Sequence, residues 1–224
     1  WLQLLQLKAI SLISEIGTDN NYFERNIIME SFVKHTGIVA PLDKPDIDTD
    51  QIIPKQFLKR VERNGFGQFM FYDWRYKEGG VPNPDFILNS PQYSGCSILA
   101  TRRNFGSGSS REHAVWALSD FGIKCIIAPS FADIFYNNCF QNGILPVIVD
   151  EEIIDKLIRQ STTVPGYTIS IDLTAQSIKD AKKEIDITFN IDGFRKYTML
   201  NGLDDIGLTL QHEDRIHLYE QNHL

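Results

Sequence analysis

From Gly37 onward, short apolar runs alternate with turn signals. Residues 37–40 (GIVA), 97–101 (SILAT), 124–128 (KCIIA) and 144–149 (ILPVIV) are bounded by Gly, Pro or polar residues and predict strands. Between them, 110–121 and 131–142 carry helical spacing. Ala114, Leu118 and Phe121 fall on one face of the first, and Phe131, Phe135 and Cys139 on one face of the second. Gly122 and Gly143 lie just past these segments, where helix C-caps are expected. The order strand–helix–strand–helix–strand predicts an α/β fold with a central, mostly parallel sheet flanked by helices. Residues 151–160 add a helix. Residues 168–173 (TISIDL) and 185–191 (IDITFNI) alternate apolar with polar and predict half-exposed strands, and 203–210 predicts a helix. Residues 64–96, rich in Gly, Pro, Asn and aromatics, predict a long irregular stretch. Loops of that length are functional or disordered, and Phe66, Phe69, Phe71, Tyr72 and Trp74 favour function. There is no internal repeat or low-complexity tract.

The first 28 residues break this pattern. Leu2, Leu4, Leu5, Leu7, Ile10, Leu12 and Ile13 make an apolar opening without a basic flank or a small-residue cleavage site, so a secretory signal fits poorly. Glu15, Asp19 and Glu24 count against an organelle transit peptide. Met29-Glu-Ser-Phe-Val-Lys reads as a natural start. Residues 1–28 are therefore expected to be an extension outside a domain spanning 29–224, with a short partner-binding helix as the alternative. No apolar run approaches the length that spans a bilayer.

Composition narrows the function classes. Hydrophobic residues at 42% and charged residues at 23% supply an ordinary globular core. The net charge of -7 argues against broad nucleic-acid binding, which needs phosphate-neutralising cations, but a few local arginines could still hold an anionic small substrate. Cys96, Cys125 and Cys139 are widely spaced, so a disulfide framework is not expected and a reducing, cytoplasmic setting is. Cys125 and Cys139 sit in apolar surroundings and read as buried, inert thiols. No His, Cys or carboxylate group has metal-ligand spacing, so no metal is expected on this chain.

The most informative segment is Asn104-Phe-Gly-Ser-Gly-Ser-Ser-Arg-Glu-His-Ala114, placed between a predicted strand and a predicted helix. A glycine-rich turn there can aim backbone N–H groups at an anion. It has neither the Lys-Ser/Thr of a phosphate-binding loop, nor the third glycine of a dinucleotide fingerprint, nor a GxSxG elbow. Ser109-Ser110-Arg111-Glu112 matches a capping box, with Ser109 as N-cap and Glu112 reaching back to it. That box does not account for Arg111, whose positive charge at a helix N-terminus is unfavourable unless an anion sits nearby.

Residues 106–114 (GSGSSREHA) resemble the signature of the aconitase superfamily's swivelling domain. Asp46-Ile-Asp-Thr-Asp-Gln-Ile-Ile-Pro54 resembles that domain's early acidic turn, and Ser130-Phe-Ala-Asp-Ile-Phe-Tyr-Asn-Asn138 with Gly143-Ile-Leu-Pro146 resembles a third motif in the same order. Phe57-Leu-Lys, Gly65-Phe-Gly and Asp73-Trp-Arg-Tyr76 further resemble the bacterial family of 3-isopropylmalate dehydratase small subunits. The resemblance spans Met29 to Arg215. It implies a swivelling β/β/α domain and a hydro-lyase subunit that converts 2-isopropylmalate to 3-isopropylmalate through 2-isopropylmaleate. It also implies that Ser109 is the base removing the substrate's C–H proton, that Ser110 and Arg111 hold substrate carboxylate, and that Asp48 and Asp50 line or brace the site. Asn138 is expected to hold backbone. Leu58, in the loop after Pro54, is the candidate contact for the isopropyl group, in a loop kept basic by Lys55, Lys59 and Arg60. The family's [4Fe-4S] cluster is expected on a large-subunit partner, in a heterodimer or heterotetramer, with none bound by this chain. A related small subunit for citraconate or homoaconitate, or a non-catalytic anion-binding module of the same fold, stands as the alternative.

Overall fold

The structure is a computed structural model that describes residues 29–59, 65–182 and 184–223. The expected N-terminal extension, residues 1–28, lies outside the described residues. In chain order the elements are β1 (Lys34–Leu42), α1 (Thr49–Ile52), α2 (Tyr72–Arg75), β2 (Ile98–Thr101), α3 (His113–Phe121), β3 (Cys125–Ala128), α4 (Asp133–Gln141), β4 (Leu145–Ile148) and α5 (Glu151–Thr163). There follow β5 (Thr168–Asp172), β6 (Ser177–Asp180), β7 (Asp186–Thr188), α6 (Gly193–Asn201), α7 (Asp205–Leu210) and α8 (Glu213–His223). Residues 29–205 form one compact unit; residues 206–224 fall in a second, whose helix α8 is exposed along its length.

Among the described residues, seven strands form one sheet in the order β4-β3-β2-β1-β5-β6-β7. Neighbours from β1 to β4 pair in parallel, while β1–β5, β5–β6 and β6–β7 pair antiparallel. Five of the seven therefore point the same way (β1 to β4 and β6), and the expected mostly parallel α/β sheet holds. Strand β1 joins the two halves. Its residues Lys34–Ile38 face β5, and Val39–Leu42 face β2. The expected strand at 37–40 is longer at its start because Lys34, His35 and Thr36 lie on the half-exposed antiparallel part, where polar residues are tolerated.

The continuous apolar runs of β1 to β3 follow from burial on both faces. Ala40, Leu99 and Ile126 point into one core cluster with Ile47, Phe66, Leu118 and Phe135. Val39, Ile98, Ala100, Cys125 and Ile127 point into another with Ile154, Leu157 and Met199. Alternate residues of one strand feed opposite clusters, as the two-residue period of a strand requires. On the antiparallel side only one face is filled, by Ile169, Ile171 and Ile178, which explains the alternation in 168–173. Strand β6 carries a single apolar residue, so no such pattern marked it.

Helix α5 begins with Glu151 and Glu152, which complement its N-terminal dipole, and runs past the expected end at 160. In its last turn Ser161, Thr162 and Thr163 return their hydroxyls to carbonyls one turn back, at 2.7, 2.7 and 2.8 Å. The described part of the irregular stretch, residues 65–96, is built of single 3-10 turns and α2. Its Phe66 and Phe71 are fully buried, and Phe71 stacks on Trp74 with centroids 5.3 Å apart, so these aromatics carry packing. Cys96, Cys125 and Cys139 are all free and buried, as expected for Cys125 and Cys139.

The capping box expected at Ser109–Glu112 is not formed. Helix α3 starts at His113, Glu112 itself has helical φ/ψ, and no side chain caps it. The reason is competition: the Glu112 carboxylate accepts from Asn142 Nδ2 at 3.0 Å, and Ser109 is bound by Thr49. A complete capping box occurs instead on α1. Asp48 Oδ1 accepts from Gln51 N at 2.8 Å, and Gln51 Oε1 accepts from Asp48 N at 3.0 Å. Asp48→Ala is expected to cost about 1 kcal/mol by leaving Gln51 N–H without its side-chain cap. Urea unfolding checks this: the midpoint falls while the slope stays constant.

Candidate active site

Three turns leave the C-terminal ends of neighbouring parallel strands: 43–48 after β1, 102–109 after β2, and 129–132 after β3. In open α/β sheets this edge is where ligands bind. Here the turns are tied to one another by backbone hydrogen bonds. Gly106 N and Ser107 N both donate to Ile47 O, at 2.7 and 3.2 Å, and Thr49 N donates to Ser107 O at 2.8 Å. Asp46 N donates to Arg103 O at 3.0 Å, and Asn104 Nδ2 to Asp46 Oδ1 at 2.9 Å. On the other side Asn104 N donates to Ser130 Oγ at 2.9 Å, Phe105 N to Ser130 O at 3.2 Å, and Ala132 N to Phe105 O at 3.0 Å. The three sequence motifs are thus one continuous structure.

Gly106 of the middle turn is required by space as well as by conformation. Gly106 has φ +77°, and a Cβ there would lie 2.1 Å from the ring of Phe135. Gly108, at φ +95°, lets the chain pass close over Asp48 and Thr49 before it reaches Ser109.

Ser109 and Ser110 are exposed at the rim of this structure, and Arg111 is partly buried. Thr49, with 1% of its surface exposed, holds Ser109 through its hydroxyl. Ser109 N donates to Thr49 Oγ1 at 3.2 Å, and Thr49 Oγ1 lies 3.2 Å from Ser109 O and 3.3 Å from Ser109 Oγ. Arg111 Nη1 forms an ion pair with Asp50 Oδ1, and Lys55 Nζ reaches Asp50 Oδ2 at 3.3 Å. The positive charge that the local sequence left unaccounted for therefore has an internal anion. With side-chain exposures of 20% and 42%, the Arg111–Asp50 pair orients the guanidinium more than it stabilises the fold.

The start of α3 is held from the opposite side. Asn142 Nδ2 donates to Glu112 Oε1 at 3.0 Å and to Asn138 O at 2.9 Å, and Asn142 Oδ1 accepts from Trp116 Nε1 at 3.0 Å. Asn138 thus contributes a backbone carbonyl. Leu58 stands outside the hydrogen-bonded group. It closes the single 3-10 turn Lys55–Phe57, is half-buried, and packs against the core cluster below the site. Phe57 beside it stacks on Phe69 at 4.1 Å and meets Tyr72 edge-on at 4.9 Å, so the loop is anchored by aromatics.

Of the residues expected at the site, Asp48, Asp50, Ser109 and Arg111 come together, with Ser110 between the last two in the chain. Sequence reasoning missed Thr49 and Asn142. Thr49 lay inside the acidic motif, flanked by the two carboxylates that drew attention from it. Among the described residues, no three His, Cys, Asp or Glu side chains are grouped to hold a metal ion. The cysteines do not fit a cluster either: all three are buried, and burial pushes the Cys96 thiol up to about 11 and raises those of Cys125 and Cys139 as well.

Comparison with known proteins agrees with this geometry. Residues 29–152 match the aconitase C-terminal domain, and residues 205–224 match the C-terminal domain of the 3-isopropylmalate dehydratase small subunit. The chain is 57% identical over 192 residues to a 3-isopropylmalate dehydratase small subunit of Brevibacillus brevis, covering 86% of this chain and 98% of that one. It is 56% identical over 203 residues to the corresponding protein of Nitrosomonas eutropha, covering 87% and 95%. A crystal structure of 3-isopropylmalate dehydratase (leuD) from Methanocaldococcus jannaschii superposes with a TM-score of 0.60 at 26% identity, covering 84% of this chain and 99% of that one. The matched spans contain all three interlocked turns, and the chain belongs to the 3-isopropylmalate dehydratase small-subunit family of the aconitase superfamily.

Proposed function

We propose that this chain is the small subunit of the hydro-lyase that isomerises 2-isopropylmalate to 3-isopropylmalate through 2-isopropylmaleate, a step of leucine biosynthesis. The observation that carries the reading is the tying of Ser109 and Arg111, through Thr49 and Asp50, onto one rim at the C-terminal edge of the parallel strands. In the forward half-reaction Ser109 Oγ, as the alkoxide, takes the C3 proton. The C–H electron pair becomes the second bond of the alkene, and the C2 hydroxyl leaves. Rehydration with the hydroxyl on C3 and the proton on C2 completes the isomerisation. Arg111, steadied by Asp50, grips a substrate carboxylate with its planar fork, and Ser110 hydrogen-bonds the same group. Leu58 meets the isopropyl group.

The rim is open, and a large-subunit partner is proposed to close it and to carry the [4Fe-4S] cluster, since this chain's described residues offer no cradle for one. When bound there, the cluster would supply Lewis-acid polarisation of the substrate hydroxyl. Among the described residues, no helix is long and apolar enough to cross a membrane. The reading places the complex in the cytoplasm, where the three free thiols stay reduced.

The test is anaerobic co-expression with an iron–sulfur large subunit, followed by an isopropylmalate assay. The complex is expected to turn over and the isolated chain to be inactive; robust turnover by the pure chain alone would sink the proposal. In the complex, Ser109→Ala should nearly abolish turnover while leaving the unfolding midpoint close to wild type, because Ser109 caps no helix. A variant whose lost activity simply tracks a lost folded fraction would make Ser109 structural. Arg111→Lys retains charge but loses the fork, so it should weaken isopropylmalate and a tricarboxylate substrate alike. Leu58→Arg should harm isopropylmalate selectively, since each buried methylene is worth about 0.8 kcal/mol. An unchanged ratio of kcat/KM values for the two substrates would move specificity away from Leu58.

A further inference from the structure

Among the described residues, Thr49 is the buried polar side chain in direct contact with Ser109 Oγ, and its three contacts are chemically unequal. A hydroxyl has one proton to donate and two lone pairs. One lone pair receives Ser109 N–H at 3.2 Å. The proton has two candidate acceptors, Ser109 O at 3.2 Å and Ser109 Oγ at 3.3 Å. While Oγ is a neutral hydroxyl, the carbonyl is a comparable acceptor. Once Oγ becomes an alkoxide, a charge-assisted bond to it is about twice as strong as the neutral alternative, and the proton turns towards it. The donor is therefore recruited by the charge itself.

The surroundings make such a donor effective. Thr49 is the first residue of α1, its N–H is fixed on Ser107 O at 2.8 Å, and a β-branched side chain has few rotamers to lose. Gly108 lies alongside, where an added Cβ would be in ordinary van der Waals contact with Thr49. With the oxygen fixed, only the hydroxyl proton has to turn when charge appears, and so small a reorganisation lets electrostatic stabilisation count in catalysis.

We propose that Thr49 Oγ1 is the hydrogen-bond donor that stabilises the Ser109 alkoxide and so sets the acidity of the catalytic base; this rests on the reading of Ser109 as that base. Stabilising the alkoxide raises its population and lowers its intrinsic basicity. Because a serine hydroxyl ionises far above neutral pH, and basicity affects the transfer rate with a coefficient below one, the gain in population wins.

The experiment uses the reconstituted complex and isopropylmalate, with kcat measured against pH for wild type, Thr49→Val and Thr49→Ser. Removing the donor raises the Ser109 pKa, so the limb of log kcat that rises with pH should move upward by on the order of one unit. At neutral pH, on that rising limb, a shift of this size lowers kcat about tenfold. Thr49→Ser restores the hydroxyl and should return both towards wild type. A Thr49→Val complex with lowered kcat but an unshifted limb would overturn the proposal and leave Thr49 as a loop support. Should Thr49→Val fail to assemble, Thr49→Cys supplies a weak donor of similar size, and an unshifted limb there overturns the proposal equally. Ser109→Ala in parallel separates the two readings: if it retains wild-type turnover, Ser109 is not the base. If it is dead while the Thr49 variants leave the limb in place, only the role of Thr49 fails.

Discussion

The candidate site depends on one buried carbonyl. Ile47, fully buried, offers its C=O to both Gly106 N and Ser107 N, and the next residues return the tie through Thr49 N to Ser107 O. A buried backbone group without a partner costs about 1–3 kcal/mol, so separating the two turns would expose several such costs at once. Each turn is rooted in a neighbouring parallel strand, and the tie makes the spacing of β1 and β2 the ruler that sets Ser109 beside Thr49. The site inherits the rigidity of the sheet although its candidate residues lie on loops.

Charge is organised on top of that scaffold. Asp50 holds Arg111 and Lys55 together, and Asp48, two residues earlier, spends its carboxylate on the N-terminus of α1. Two acids that look equivalent in sequence thus have different tasks: one closes a helix, the other aims a guanidinium. Asp50 also compensates the charge of Arg111 near a helix start, where an unaccompanied cation would be disfavoured. A substrate carboxylate would meet a guanidinium already in position and lose less entropy on binding.

Opposite faces of α3 are secured by unlike means. Ala114 and Leu118 are fully buried in the core, while its first residues are held by the polar chain Glu112–Asn142–Trp116. That chain displaced the local capping box expected between Ser109 and Glu112. A long-range hydrogen bond from Asn142 to Glu112 won over a bond within one turn because both ends of the local box already had better partners.

By itself the sequence determined the order of the parallel strands and helices, because strands buried on two faces write continuous apolar runs and helices of one apolar face write a 3.6-residue period. It also determined the chemistry available, through the motif residues Asp48, Asp50, Ser109, Ser110 and Arg111. It did not reveal β6 or the first residues of β1, antiparallel segments that carry polar residues without a distinctive pattern, nor α6 and α8. Nor did it show that Thr49 touches Ser109, that Asp50 pairs with Arg111, or that Asn142 holds Glu112. These contacts join residues far apart in the chain, and local periodicity has no term for them. Only the parallel alignment of β1, β2 and β3 brings their three following turns to one edge, and that alignment is a property of the folded sheet.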